Sequence, residues 1–124
     1  MRVIQTAGAP SAVGAYSQAT TNGNILFTSG QIPMTADGEL LADASIADQT
    51  EQVLDNVEAI LDSEGLTLGD VLKMTVYLGD IDDFDEMNQV YRGYFDESPP
   101  ARSAFEVANL PKGVDIEIEA IASL

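Results

Sequence analysis

The residues able to do chemistry in this chain are few. It has no histidine and no cysteine. That removes the commonest general base and metal ligand, and with them thiolate catalysis and disulfides. Carboxylates, Arg, Lys, Tyr, hydroxyls and the backbone remain. Basic side chains are scarce, five against 21 acids. One of them, Arg102, stands in "SPPARSAFEV", just after two prolines and at the start of a strand-like run. A guanidinium there is a fork able to grip a carboxylate or phosphate through paired N–H donors. On pattern alone, a cross-strand ion pair accounts for Arg102 equally well, because Asp115, Glu117 and Glu119 share one face of the last strand.

The other candidates divide in the same way. Glu117 and Glu119 alternate with Ile116 and Ile118. They read either as a solvated strand face or as a carboxylate that orients or deprotonates water. Asn88 falls near the apolar stripe of a helix, where its amide needs a partner, backbone or ligand. Tyr16 and the Ser29-Gly30 pair lie in an acid-free first third. Tyr16 reads as core, interface or site. Ser29 has no histidine to activate it, which excludes a serine-hydrolase triad. A small Ser-Gly pair lets backbone N–H groups approach an anion. P-loop and dinucleotide-fold glycine fingerprints are absent. The aspartates follow helix faces rather than a calcium-loop spacing, and no metal site is expected.

The net charge is −16. Contact with nucleic-acid phosphates normally needs a basic footprint, so no nucleic-acid partner is expected. Residues 1–36 hold no acid. Further on, Asp48, Glu51, Asp55, Glu58 and Asp62 recur at three- and four-residue steps with no lysine between them. Such like-charge neighbours cost a helix a little at low salt and less when screened. This reads as a halophilic, acidic surface suited to a saline cytoplasm, or as an ordinary solubility surface. No apolar run reaches transmembrane length, and "MRVIQTAGAPSAVGAY" has no signal-peptide core. A cytoplasmic protein with no membrane partner is expected. The length predicts a single domain over 1–124.

Several elements position these residues. "YSQATTNGNILFTSGQI" predicts a hairpin about Asn22-Gly23. Its second strand, Asn24 to Gln31, carries Ile25 and Phe27 on one face and Leu26 on the other. "PMTADGELLADAS" reads as a loop with a turn at Asp37-Gly38. A helix is predicted from Ile46 to about Glu64, capped by Ser45 with Asp48 three residues on. Its inner stripe is Ile46, Thr50, Val53, Val57, Ile60 and Leu61, and Gly65 suits its C-terminal end. "DVLKMTVYLGD" alternates as a strand, with Leu72, Met74, Val76 and Leu78 on one face. A second helix follows with Ile81, Phe84, Met87, Tyr91 and Phe95 as its stripe. Ser98-Pro99-Pro100 breaks it. Two strands close the chain, about Ala101 to Val107 and Asp115 to Ala122. The order implies an α+β domain, a mixed sheet with two helices on one face. Two helices leave the other face uncovered, and its apolar residues point to another subunit, with loops covering that face as the alternative.

Taken together, "GAYSQA", "ILFTSGQIP", "QTEQVLDNVEAIL", "FDEMNQVYRGYF", "PPARSAFEVANLPKG" and "VDIEIEAIA" resemble the Rid family, also called YjgF, and closely its RidA-type enamine/imine deaminase branch. The resemblance runs through almost the whole chain in order. It implies a chorismate-mutase-like fold, assembled as a homotrimer with sites in clefts between subunits. The implied activity is hydrolysis of reactive 2-enamine and 2-imine acids, such as 2-aminoacrylate, 2-iminopropanoate and 2-iminobutanoate, to 2-keto acids and ammonia. The implied role is protection of pyridoxal-phosphate enzymes, and no cofactor is implied. A relative that binds small carboxylates without turnover is the alternative. An RNA-cleaving role attached to some relatives sits badly with the charge.

Carried over by position, Arg102 would hold the substrate carboxylate and Glu117 would position the attacking water, with Glu119 as the adjacent fallback. Tyr16 would line the cleft. Ser29 and Gly30 would contact the ligand by hydroxyl or backbone, and Asn88 would lie near the site. Many relatives carry a cysteine where this chain has Ala104. The resemblance assigns a water contact there to the backbone carbonyl, which alanine keeps. A protonated imine is already electrophilic, so this chemistry needs no strong base.

Overall fold

The computed structural model describes all residues 1–124. Eight regular elements follow one another: β1 (Arg2–Ile4), β2 (Ala19–Thr21), β3 (Ile25–Thr28), α1 (Ile46–Asp62), β4 (Val71–Leu78), α2 (Phe84–Tyr94), β5 (Ala101–Glu106) and β6 (Ile116–Ser123). The strands form one mixed sheet in the order β1-β2-β3-β6-β4-β5. Only β4 and β5 run parallel, as expected for strands joined by a helical crossover.

Both helices pack on one face. There Leu26, Met74, Val76, Leu78, Ile116 and Ile118 are buried beneath Val53, Val57, Ile60 and Leu61 of α1 and Met87 of α2. Strict alternation sends the neighbouring residues of β6 to the opposite face. That face carries Phe27, Tyr77, Phe105, Glu117 and Glu119, with no helix over it. This is the expected architecture, two helices on one side of a mixed sheet.

Local chemistry explains the helix limits. Ser45 accepts the Asp48 N–H at 3.1 Å and caps α1. The reciprocal bond of a capping box is not made. At the other end Gly65 lies at φ +72°. The Gly65 and Leu66 N–H groups return to Asp62 and Leu61, a Schellman closure that glycine permits. The predicted stripe of α1 is buried, and its five acids are exposed. Asp80 accepts from the Asp82 N–H and starts a short 3-10 turn ahead of α2. Ile81, placed in the stripe from its spacing, is exposed because that turn lies outside the regular helix.

Three features depart from expectation. The register of β4 against β6 shifts between Val71 and Lys73. This bulge turns Leu72 out, so it is exposed rather than aligned with Met74. β3 ends at Thr28, short of Gln31, which rejoins β6 as an isolated bridge to Ile118. β1 was not foreseen. It pairs with β2 and is tied to the end of α1 by an Arg2–Glu64 ion pair at 2.5 Å.

Two buried amides fasten loops onto α1. Gln49 donates to the Ala44 carbonyl and to Asp115, and accepts the Asp115 N–H. Asn56, 1% exposed, donates to the Ile32 and Met34 carbonyls at 3.2 and 2.9 Å. It thereby holds the stretch that follows Gly30. Asn56→Leu leaves the Met34 carbonyl without a donor and the Ile32 carbonyl with the Met34 N–H alone. A loss of roughly 1–3 kcal/mol in urea-unfolding free energy is expected, and wild-type stability in that variant would refute the tether.

Candidate functional site

The predicted residues gather into two clusters on opposite faces of the sheet. The first is built on α2 and the edge strand β5. The Arg102 side chain lies on the helix-covered side, where its Nη1 donates to Asn88 Oδ1 at 2.8 Å. Its guanidinium carbon sits 4.6 Å from the Tyr91 ring centre and 5.4 Å from that of Phe84. Both rings therefore lie within cation–π range. No acid lies within ion-pair distance, and the only ion pair in the chain is Arg2–Glu64. The cross-strand pair weighed from the sequence is thus not formed. One Nη1 donor is used, and the rest of the fork is free. It opens on a cavity of about 390 Å³ lined by Asn88, Tyr91, Arg92, Phe95, Asp96, Pro99, Pro100 and Arg102.

Tyr91 is 4% exposed, and its hydroxyl is the one buried side-chain polar atom without a partner. Burial pushes its pKa up, partly offset by Arg102. Ala104 lies two residues beyond Arg102. The Val107 N–H bonds to the Leu78 carbonyl, so odd-numbered residues of β5 turn their peptide groups to β4. In a parallel ladder the even ones then face away. The Arg102 and Ala104 carbonyls consequently lie along the open sheet edge.

The second cluster surrounds the break between β3 and β6. Past Phe27, Ser29 and Gly30 leave the ladder, which resumes at Gln31. Thr28 Oγ1 accepts the Ala120 N–H in place of a backbone carbonyl. Glu117 lies against Gly30, where a Cβ would stand 2.1 Å from Glu117 Oε2. Gly30 is needed for this close approach rather than for an unusual backbone angle. Its N–H has no protein partner. Tyr16, Gly30, Gln31 and Lys112 line a cavity of about 300 Å³. Tyr16 is exposed, with its hydroxyl accepting the Val13 N–H at 3.4 Å. Ser29 does not line that cavity. Its hydroxyl donates to the Ser17 carbonyl at 2.5 Å and braces the strand.

Glu117 and Glu119 are distinguished by their partners. Tyr77 donates its hydroxyl to Glu119, and this bond raises the Tyr77 pKa to about 12. Glu117 has no hydrogen-bond donor. Burial, and then the Glu119 charge, pushes its pKa above the ordinary 4.5. Glu117 is therefore the carboxylate free to exchange a proton or hold water.

Sequence reasoning missed three contributors. Phe84 and Tyr91 were read as core alone, although an arginine on the adjacent strand made a ring platform foreseeable. Lys112 was passed over, and it is the only non-glycine residue with positive φ, +56°. Such backbone strain often marks functional segments.

The raised Glu117 pKa has a stability consequence. A carboxyl that binds its proton more tightly folded than unfolded loses stability as pH rises from the ordinary carboxylate range through its folded value. Glu117→Gln is therefore expected to be more stable than wild type at neutral pH, with the difference vanishing in acid. Chemical denaturation at pH 4 and pH 7 measures this, and an equal difference at both would contradict it. Gly30→Ala must push the Glu117 carboxylate aside, and a structure with Glu117 unmoved would refute the close-approach argument.

A family model described as Endoribonuclease L-PSP matches residues 6–124. A RutC family protein of Pyrococcus horikoshii is 55% identical over 120 residues, covering 97% of this chain and 95% of the relative. The 2-iminobutanoate/2-iminopropanoate deaminase of Escherichia coli is 49% identical over 125 residues, covering 98% and 96%. The crystal structure of E. coli TdcF with bound serine superposes with a TM-score of 0.94 at 45% identity, covering 100% and 99%. Fold and sequence agree, and the chain belongs to the Rid (YjgF) family.

Proposed function

We propose that this protein hydrolyses 2-imino acids, and their 2-enamine tautomers, to 2-keto acids and ammonia. The observation that carries the reading is the Arg102 fork. It is pinned by Asn88 over two aromatic rings, is unpaired with any acid, and opens on a cavity. A small carboxylate is the natural occupant of such a fork. The name of the E. coli deaminase and the serine bound to TdcF point the same way.

The chemistry follows from the inventory. Arg102 fixes the substrate carboxylate and so orients the imine carbon. Water attacks the protonated C=N carbon. Glu117, with its raised pKa, holds that water and takes its proton. The Ala104 carbonyl at the sheet edge accepts the water's other hydrogen, and the Gly30 N–H and Tyr16 line the opposite wall. Glu117 then returns its proton to the amino group of the carbinolamine, the C–N bond breaks as the hydroxyl proton passes to solvent water, and ammonia leaves the keto group behind. Atoms balance without an oxidant or cofactor.

Arg102 and Glu117 occupy opposite sheet faces of one chain, so a working site requires a second copy. In the proposed trimer the open sheet faces meet, and the β5 edge of one subunit approaches the Gly30 cleft of the next. The apolar residues of that face, Phe27 and Phe105 among them, then become interface. Removal of imines such as 2-aminoacrylate would spare pyridoxal-phosphate enzymes from attack, a role suited to a cytoplasmic protein.

The test generates 2-iminobutanoate from threonine with a dehydratase and follows 2-oxobutanoate release against a trapping nucleophile, at low and high salt. Acceleration by wild type is expected. Its absence at every salt would leave the carboxylate-binding alternative, which the serine-bound relative favours. Arg102→Lys keeps charge but loses the planar fork, and a fall in kcat/KM on the order of 10²-fold is expected. Full activity in that variant would remove Arg102 from the site. Sedimentation of a monomer at working concentration would overturn the shared cleft.

A further inference from the structure

The placement of positive charge says more about the substrate. Of the five basic residues, Arg2 is paired with Glu64 and Lys73 lies on β4. The other three, Arg92, Arg102 and Lys112, all line the two cavities of the candidate site. None of the three is ion-paired, although the chain carries 21 acids. Two of them, Arg92 and Arg102, share one cavity. A monocarboxylate needs only one.

We infer that the site prefers 2-imino dicarboxylates, with Arg102 on the α-carboxylate and Arg92 on the second. This deepens the deaminase reading and rests on it. Arg92 follows Asn88 by one turn on the same face of α2. Asn88 fixes the Arg102 fork. A rise of 1.5 Å per residue puts the two helix positions about 6 Å apart along the axis, a span suited to an acid whose carboxylates are separated by two or three carbons. Arg92 is exposed at the cavity mouth, in the last turn of α2, where the helix dipole favours a cation. The one acid lining the same cavity is Asp96. It opposes a second carboxylate, and its position tunes the preference downward. The hydrolysis is unchanged: water adds at C=N, the C–N bond breaks, and a 2-keto dicarboxylate and ammonia leave. The imines are of the kind formed when aspartate or glutamate is oxidised at its α-carbon.

Binding of keto products reads the preference without requiring turnover. Calorimetry at fixed ionic strength compares 2-oxoglutarate with 2-oxobutanoate. The dicarboxylate is expected to bind about tenfold more tightly. Arg92→Gln should collapse that ratio, Arg92→Lys should restore part of it, and Asp96→Asn should raise it. No preference in wild type, including no measurable binding of either acid, overturns the inference. So does a ratio unchanged in Arg92→Gln. A parallel assay supplies the imines in place with an amino-acid oxidase. An Arg92-dependent preference with no imine turnover sinks the deaminase reading and leaves dicarboxylate recognition. Turnover of 2-iminobutanoate without a dicarboxylate preference sinks this inference alone.

Discussion

Everything in the candidate site depends on the alternation of β6. Ile116, Ile118, Ala120 and Ala122 fill the core beneath α1. With those positions fixed, Glu117 and Glu119 have no choice of face. A one-residue slip would bury two carboxylates under the helices and expose the core. Several kcal/mol stand against that exchange, because an unpaired buried charge is costly. The same alternation on β5 puts Arg102 beside Met74, on the helical side. The hydrophobic core therefore separates the two charged groups to which the proposed chemistry gives roles. In the proposed assembly, two copies meeting at a sheet edge would remove that separation without disturbing either core.

The break between β3 and β6 illustrates how an irregularity at the candidate site is held open. Two residues leave the ladder, and a threonine hydroxyl takes over one backbone bond. A serine hydroxyl braces the departing strand, and Asn56 ties down the far side. The opening is just large enough for the Glu117 carboxylate against a residue lacking Cβ. What is left unsatisfied there is the Gly30 N–H, on the wall of a cavity rather than in the core, and beside it a carboxylate with a raised pKa and no donor.

Much of this was legible in the sequence where one local signal decides. Asn22-Gly23 marked the hairpin, Ser45 the start of α1 and Gly65 its end. The spacing of Val53, Val57, Ile60 and Leu61 marked the buried face. The chemistry-bearing residues stood out because histidine and cysteine are absent and cations are rare. What stayed hidden depends on distant pairing. β1 has three residues, too few for a period, and is defined by β2 and by Glu64, 62 positions away. The bulge at Leu72 arises from the partner strand's register. Nothing in the local pattern marks Gln49 and Asn56, yet each is buried because a loop brings carbonyls to it. Alternation showed which residues share a face within a strand. It did not show that Arg102 and Glu117 take opposite faces, since that is fixed by the order β6-β4-β5.

The charge distribution links the surface to the site. Asp48, Glu51, Asp55, Glu58 and Asp62 stay exposed along α1, where salt screens them within about a Debye length of 10 Å. The anionic substrate proposed above would meet net repulsion at such a surface, and steering would have to come from local positive potential. Three cations on the cavity walls supply it. The aromatic platform under Arg102 keeps one of them available, since Tyr91 and Phe84 offer the guanidinium a neutral partner. An acid there would lower its energy further but would occupy the fork. In a chain with 21 acids, keeping carboxylates away from Arg102 is itself part of how the site is built.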